Sequence, residues 1–478
     1  MRKLFFALLL LSTGLRAQTL SPEVQKFVKV NAPLVALTHV RVIDGTGAAP
    51  TEDRTVLIRQ GKIESITDSA AAPPKDAQIL DLHGYSIIPG LVGMHDHMFY
   101  PAGDAVFHEM AVSFPRLYLA GGVTTIRTTG SVEPYADLNL KQQIDRGEIP
   151  GPTIHATGPY LEGPGTWVTQ SVSLQTPEEA VATVNYWIDR GVDNFKAYNF
   201  ISRAVLGAAI EAAHKRGVKV TGHLCSVGFR EAAALGIDDL EHGLTVDTEF
   251  FSKKKPDECP GEEDTANELI KMHIGDPPIQ ETIRDLVAHH VAMTSTLPVF
   301  ELFAPDRTPL QQRVLDAMSP EVRNQFLESR VGLDLPRHDP KTGAVNPRPW
   351  GPLFTQEMEF ERAFVKAGGL LLAGLDPTGI GGVIPGFGDQ REVELLVEAG
   401  FTPLEAIHIA TYNGAQYLGE VDRIGTIAAG KQADLVVIKG DPSAKISDIE
   451  NVEIVFKSGM GYDSAKLVES VRGLVGIR

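Results

Sequence analysis

Residues 89–97 read Pro-Gly-Leu-Val-Gly-Met-His-Asp-His. The apolar run ahead of His95 reads as a strand, and side chains at i and i+2 of a strand point to one face. His95 and His97 therefore aim two imidazoles at one point, and neutral imidazole is the commonest metal ligand. Alone, a His-x-His pair is a modest signal. It gains weight from Lys196, His223, His242 and Asp376, each at or just past the C-terminal end of a later apolar strand.

Outward from this stretch the chain alternates strands with helices. Eight strand candidates stand out: Ile88–Met94, Val123–Thr128, Thr153–Ala156, Asn194–Tyr198, Val218–Leu224, Asp238–His242, Val291–Leu297 and Leu370–Leu375. Helical patterns separate several of them, as at Ser202–Arg216, which stops before Gly217, a good C-cap. Phe229–Leu235 and Asp389–Ala399 are similar. Strand–helix alternation predicts parallel strands with right-handed crossovers. Eight units predict an α/β fold built on a (β/α)8 TIM-like barrel, whose active site lies at the C-terminal strand ends. The candidate ligands fall at those ends.

The flanks differ. Residues 34–88 and the segment from Ala433 onward are strand-rich with Gly and Asp-Pro turns, which predicts one composite β-sandwich assembled from both termini. The expected division is 1–17 as a leader, 18–88 with 419–478 as the sandwich, and 89–418 as the barrel. Insertions near 250–280 and 300–356 follow strands six and seven and should overhang the mouth as lids. The Lys253–Lys255 run in the first reads as solvated surface.

Composition bounds the function. The 478 residues are 43% hydrophobic and 22% charged, with 44 basic and 61 acidic residues and a net charge of −17. That balance argues against nucleic acid or an anionic membrane as partner and leaves a small-molecule substrate. Met1-Arg2-Lys3, the apolar run Leu4–Leu11 and Ala17 before Gln18 have the layout of a secretory signal peptide. The expectation is a periplasmic or secreted protein with no membrane attachment after cleavage. Homo-oligomerisation stays open. Cys225 and Cys259 fit either one bridge or two buried thiols.

Two further placements need chemistry. Lys196 interrupts an apolar strand, and a buried lysine needs a partner or a modification. Asp376 ends the run from Leu370, where a carboxylate is costly unless bonded or metal-bound. His155, read as the end of strand three, and Tyr198, on the strand face of Lys196, are candidates to hydrogen-bond a developing oxyanion. Tyr198 also suits a substrate carboxylate. His289 and His290 precede strand seven, at the other end of the barrel, and are not expected to be ligands.

Five stretches carry a family resemblance: Ile87 to His97, Gly121-Gly-Val-Thr-Thr, Leu240-Glu-His-Gly, Phe401 to Thr411, and Gly425 to Val437. With them the chain resembles the amidohydrolase superfamily, in the branch of imidazolonepropionase-like enzymes and prolidase-like dipeptidases. The resemblance implies two divalent metal ions, by default zinc. His95, His97 and Asp376 would hold one, and His223 and His242 the other. Lys196 would be N-carboxylated, an anion able to span ions roughly 3.5–4 Å apart. It implies cleavage of a C–N amide bond, of dipeptide or N-acyl amino acid type, by metal-activated hydroxide, with Asp376 as general base and then acid. A cyclic amide, lactone or phosphoester could react at the same centre. A non-catalytic metal- or solute-binding barrel is the rival class, and the presence of both Lys196 and Asp376 weighs against it.

Overall fold

The computed structural model describes residues 20–477, apart from 104–105, 167, 169, 305–306, 308–309, 339–340 and 344. The expected leader lies outside the described residues. Eight parallel strands position the site: β1 (Leu91–Asp96), β2 (Val123–Thr128), β3 (Thr153–His155), β4 (Asn194–Ala197), β5 (Lys219–Gly222), β6 (Asp239–Glu241), β7 (Ala292–Ser295) and β8 (Leu371–Ala373). One sheet runs β3-β2-β1, and a second carries β4 to β8 in chain order, all paired in parallel. The two sheets meet at both edges. Beyond β3, Thr157 bridges Asn194 in parallel, and beyond β8 the Asp376 N–H donates to the His95 carbonyl at 3.0 Å.

Both faces of six of these strands are buried, and β3 and β5 are partly exposed only at Thr153, His155 and Lys219. That is why they read as near-continuous apolar runs. Arg203–His214 forms the helix expected after β4, and its N-cap Ser202 accepts from the Val205 N–H. Phe229–Leu235 closes on Gly236 in the left-handed region (φ 90°), where glycine has no Cβ to clash.

The run Ile88–Met94, expected as one strand, is two. Tyr85–Pro89 pairs antiparallel with Leu435–Lys439, and β1 starts two residues later. Gly90 makes the switch. Its N–H donates to the Asp434 carbonyl, and a Cβ there would stand 2.1 Å from the Thr124 hydroxyl. Leu435–Lys439 belongs to a nine-stranded sheet that joins strands from 28–89 to strands from 435–463. Its inner face packs Val35, Leu37, Val56, Ile87, Val437 and Phe456.

The stretches after β6 and β7 are helical: Glu262–Leu269 in the first, and Gln312–Ala317, Pro320–Asp334 and Trp350–Lys366 in the second. Lys253 and Lys255 are exposed, whereas the Lys254 ammonium turns inward and donates to the carbonyls of Ser226 and Glu258. Cys225, just past β5, is joined by a disulfide to Cys259 in the first insertion, with Cα atoms 4.9 Å apart. The bond closes a loop between residues 34 apart in sequence. Chain-entropy arguments give such a loop about 3–4 kcal/mol, so reduction should lower the unfolding midpoint by several degrees. Thermal melts with and without reductant check this; coincident melts would show that the bond carries no stability.

Candidate active site

Six of the sequence candidates converge at the C-terminal ends of the parallel strands. His95 is the next-to-last residue of β1, His97 follows that strand directly, Lys196 lies within β4, and His223 and His242 follow β5 and β6 directly. Asp376 follows β8. One ligand atom each from His95, His97 and Asp376 lies within 4.8 Å of the others. The Asp376 carboxylate stands 3.5 Å from Nε2 of His95 and of His97, and 3.9 Å from Nε2 of His242. The Lys196 Nζ is 3.0 Å from His95 Nε2. The His242 ring is 4.5 Å from that of His95 and 4.6 Å from that of His223.

Three of the four rings are oriented from behind. His95 Nδ1 faces Glu241 Oε2 at 2.7 Å, His97 Nδ1 faces the Gly130 carbonyl at 3.1 Å, and His242 Nδ1 faces the Thr296 hydroxyl at 2.7 Å. These bonds leave the Nε2 atoms directed at the common centre, the usual arrangement for metal-binding histidines. His242 and Asp376 also hold positive φ, 66° and 49°. Non-glycine residues in that region are uncommon and strained, and such strain concentrates at functional sites.

Burial sets the charge states. It drives the imidazoles of His95, His97 and His242 well below their ordinary value and that of His223 down to about 3. All four are thus neutral, with a lone pair to offer. Burial also pulls the Lys196 ammonium down to about 8, against the carboxylates of Glu241 and Asp376, and pushes Asp376 up to about 6. Four neutral nitrogens around a carboxylate and a desolvated lysine form a donor set that a divalent cation completes.

A cavity of about 740 Å³ opens over these residues. His97, Lys196, His223, His242 and Asp376 line it, with Phe99, Phe300, Phe303 and Trp350 in the wall. The inserted helices contribute Glu262 and Glu328. Tyr198 is in the lining, its ring 5.0 Å from His223 and 4.9 Å from Tyr160.

His155 is not brought to this cluster. β3 stops at His155, one residue short of its expected end, and two residues on Thr157 makes an isolated parallel bridge to the first residue of β4. His155 is left facing Asp193, just before β4, at 3.2 Å, and Glu420 at 3.5 Å. Burial lowers its pKa, but the bonds to these two carboxylates outweigh that and raise it to about 9. A raised pKa stabilises the fold below the unfolded value near 6.5, and the gain disappears as pH rises through about 9. The gain is roughly 3 kcal/mol. His155→Gln should therefore lose stability at pH 6 and little at pH 10, with kcat little changed. Urea midpoints at the two pH values test this, and a kcat collapse in the folded variant would return His155 to the reaction.

Three side chains at the site escaped the sequence. Tyr160 sits with its hydroxyl 3.4 Å from His97 Nε2, and nothing in its loop sequence marks it. Glu241 and Arg127 were visible as charges within apolar strands, the same signal that singled out Lys196.

The sequence profile of the Amidohydrolase family matches residues 381–460, a span that begins after Asp376. Curated relatives match in part. A dihydroorotase of Syntrophus aciditrophicus (strain SB) is 33% identical over 82 residues, 17% of this chain and 19% of that protein. An imidazolonepropionase of Mycolicibacterium smegmatis is 29% identical over 154 residues, 31% of this chain and 37% of that one. The chain thus spans a fifth to two fifths of these two relatives. Solved structures match almost end to end. A candidate prolidase from Bifidobacterium longum is 25% identical with TM-score 0.65, over 92% of this chain and 99% of that one. A Xaa-Pro dipeptidase with bound methionine in its active site gives TM-score 0.67 at 21% identity, over 90% and 100%. A bottromycin amidohydrolase gives 0.68 at 19%, over 94% of both chains. The last two are likenesses of fold.

Proposed function

We propose that this chain, which belongs to the amidohydrolase superfamily of metal-dependent hydrolases acting on C–N bonds, cleaves the amide bond of a dipeptide or N-acyl amino acid outside the cytoplasm. The observation that carries the reading is the convergence of His95, His97, Lys196, His223, His242 and Asp376 below one cavity. The fold reading that accompanies it is a closed (β/α)8 barrel, supported by the links at both sheet edges.

The donor set fits two ions. His95, His97 and Asp376 would hold the deeper one, His223 and His242 the outer one, and Lys196 as a carbamate would serve both. Zinc suits this nitrogen-rich set. Bound there, divalent metal supplies Lewis-acid activation of water and of the scissile carbonyl. Asp376 then takes a proton from the attacking water and returns it to the leaving nitrogen. Tyr198 stands over the same space, where its hydroxyl can donate to the carbonyl oxygen as charge develops. The aromatic wall excludes water from the acyl arm. Prolidase and Xaa-Pro dipeptidase, the names carried by two structural neighbours, support an amide next to an amino acid.

A kcat/KM screen of the zinc-loaded protein over dipeptides, N-acyl amino acids, cyclic amides and lactones tests the substrate. Turnover confined to the last two would replace the acyclic reading. Export rests on the leader and is compatible with the Cys225–Cys259 bond, since disulfides persist in oxidising compartments. N-terminal sequencing from the native host should start near Gln18; an intact Met1 in the cytosol would refute export.

A further inference from the structure

Beneath the ligand set lies a second layer of buried charge that hydrolysis itself does not use. Asp239 and Glu241 stand two apart on β6 and so share a face, and both are fully buried. Two adjacent buried carboxylates repel unless a cation lies between them. Arg127, the next-to-last residue of β2, supplies it and is itself fully buried. Its Nη2 donates to Asp239 Oδ2 at 2.8 Å and to Glu241 Oε1 at 3.0 Å. Its Nε donates to the carbonyl of Met94, the residue before His95, at 2.8 Å. The Thr221 hydroxyl also donates to Glu241 Oε1, and the Thr294 hydroxyl donates to Asp239 Oδ2 at 2.8 Å.

The consequence reaches the centre. Arg127 and Thr221 occupy Glu241 Oε1, which leaves Oε2 to face His95 Nδ1 at 2.7 Å. A neutral imidazole carries one N–H, and this bond puts it on Nδ1, so the lone pair of His95 is on Nε2, beside Lys196 and Asp376. One guanidinium thus fixes the ring of His95 through Glu241 and its backbone through Met94.

We propose that Arg127 is a positioning residue for the metal centre, acting through Glu241 to hold the tautomer and direction of His95. This rests on the metal-dependent reading above. A purely structural role would be to neutralise two carboxylates so that the strands pack, and the two roles predict different measurements.

The test uses Arg127→Met, Glu241→Met and the double variant, with Arg127→Lys as a milder change that keeps the charge. Asp239→Asn is the control, since it alters the other partner of Arg127 and leaves the bond to Glu241. Zinc affinity is read by chelator competition, folding by thermal melts, and ligand geometry by the visible spectrum of the cobalt-loaded protein. Loss of a carboxylate behind a ligating histidine typically costs about 10–100-fold in metal affinity. The expected result is that loss for each single Met variant, no further loss in the double variant because both act through one bond, and the same altered cobalt spectrum in all three. Asp239→Asn should change affinity by no more than about threefold, whatever its melting point. If the Met variants fail to fold, a folded Arg127→Lys must still show weakened zinc binding and the shifted spectrum. Folded Arg127 variants with native affinity and spectrum would overturn the proposal and leave the hydrolase reading intact. Wild-type protein that takes up no divalent metal would overturn both.

Discussion

Lys196→Ala is expected to abolish metal binding and hydrolysis together, with activity falling by more than about 10³-fold. The reason is placement. Lys196 Nζ lies 3.0 Å from His95 Nε2 and lines the same cavity as His223 and His242, so its side chain stands between the two groups of histidines. As an ammonium it would repel cations from a centre of four neutral imidazoles. As a carbamate, formed by its neutral amine and carbon dioxide with release of a proton, it contributes an anion with two oxygens. Alanine removes the bridge and opens a hole in a fully packed strand. Bicarbonate should not restore activity, because no amine remains to be carboxylated. Metal stoichiometry and kcat/KM measured on one preparation decide the matter. A folded alanine variant with two ions and native turnover would end the bridging role.

That lysine also shows why the site was legible. A charged residue inside an apolar strand has few innocent explanations, and a period of two fixes which face it shares with its neighbours. The same logic gathered His95, His97, His223, His242 and Asp376 without any knowledge of packing, because parallel strands with helices between them place their C-terminal ends together. It failed at His155. Its strand ends at His155, but the chain meets β4 only beyond it, at the Thr157–Asn194 bridge, and the imidazole faces Asp193 and Glu420 instead. Strand ends are decided by pairing partners distant in sequence, and so was the break at Gly90, where Tyr85–Pro89 leaves for the other sheet. Arg127 and Glu241 were readable by the logic applied to Lys196. Their meaning needed the third dimension, since Arg127 spans from β2 to β6 to reach them. Tyr160 sits in a loop after β3, where no periodicity constrains direction.

Asp376→Asn is expected to lower kcat by about 10²–10⁴-fold, the usual contribution of a positioned acid–base group, while metal content changes far less. Asparagine keeps the shape and one carbonyl oxygen toward the histidines, so coordination is weakened rather than lost. What it removes is an oxygen that can accept a proton. Asp376 suits that task for two reasons. Its carboxylate faces Nε2 of His95, His97 and His242 at 3.5–3.9 Å while lining the cavity. Its other contact, the Thr378 hydroxyl on Oδ1 at 2.7 Å, is a neutral donor that holds the carboxylate without discharging it. Burial pushes its pKa up to about 6, against the pull of the Lys196 ammonium, and a bound cation would lower it again. The base form is therefore present at neutral pH and is lost as pH falls, so the acidic limb of kcat/KM should lie at or below about 6 in the wild type. In the asparagine variant that limb should shift or vanish, because the group that titrates with the attacking water is gone. Thr378→Val offers a graded companion: it removes the donor that holds Oδ1 and should cost less than the loss of the carboxylate. An Asp376→Asn protein that binds both ions, turns over at near-native kcat and keeps its acidic limb would place the proton on another group. Tyr198, over the same cavity, would be the first to examine.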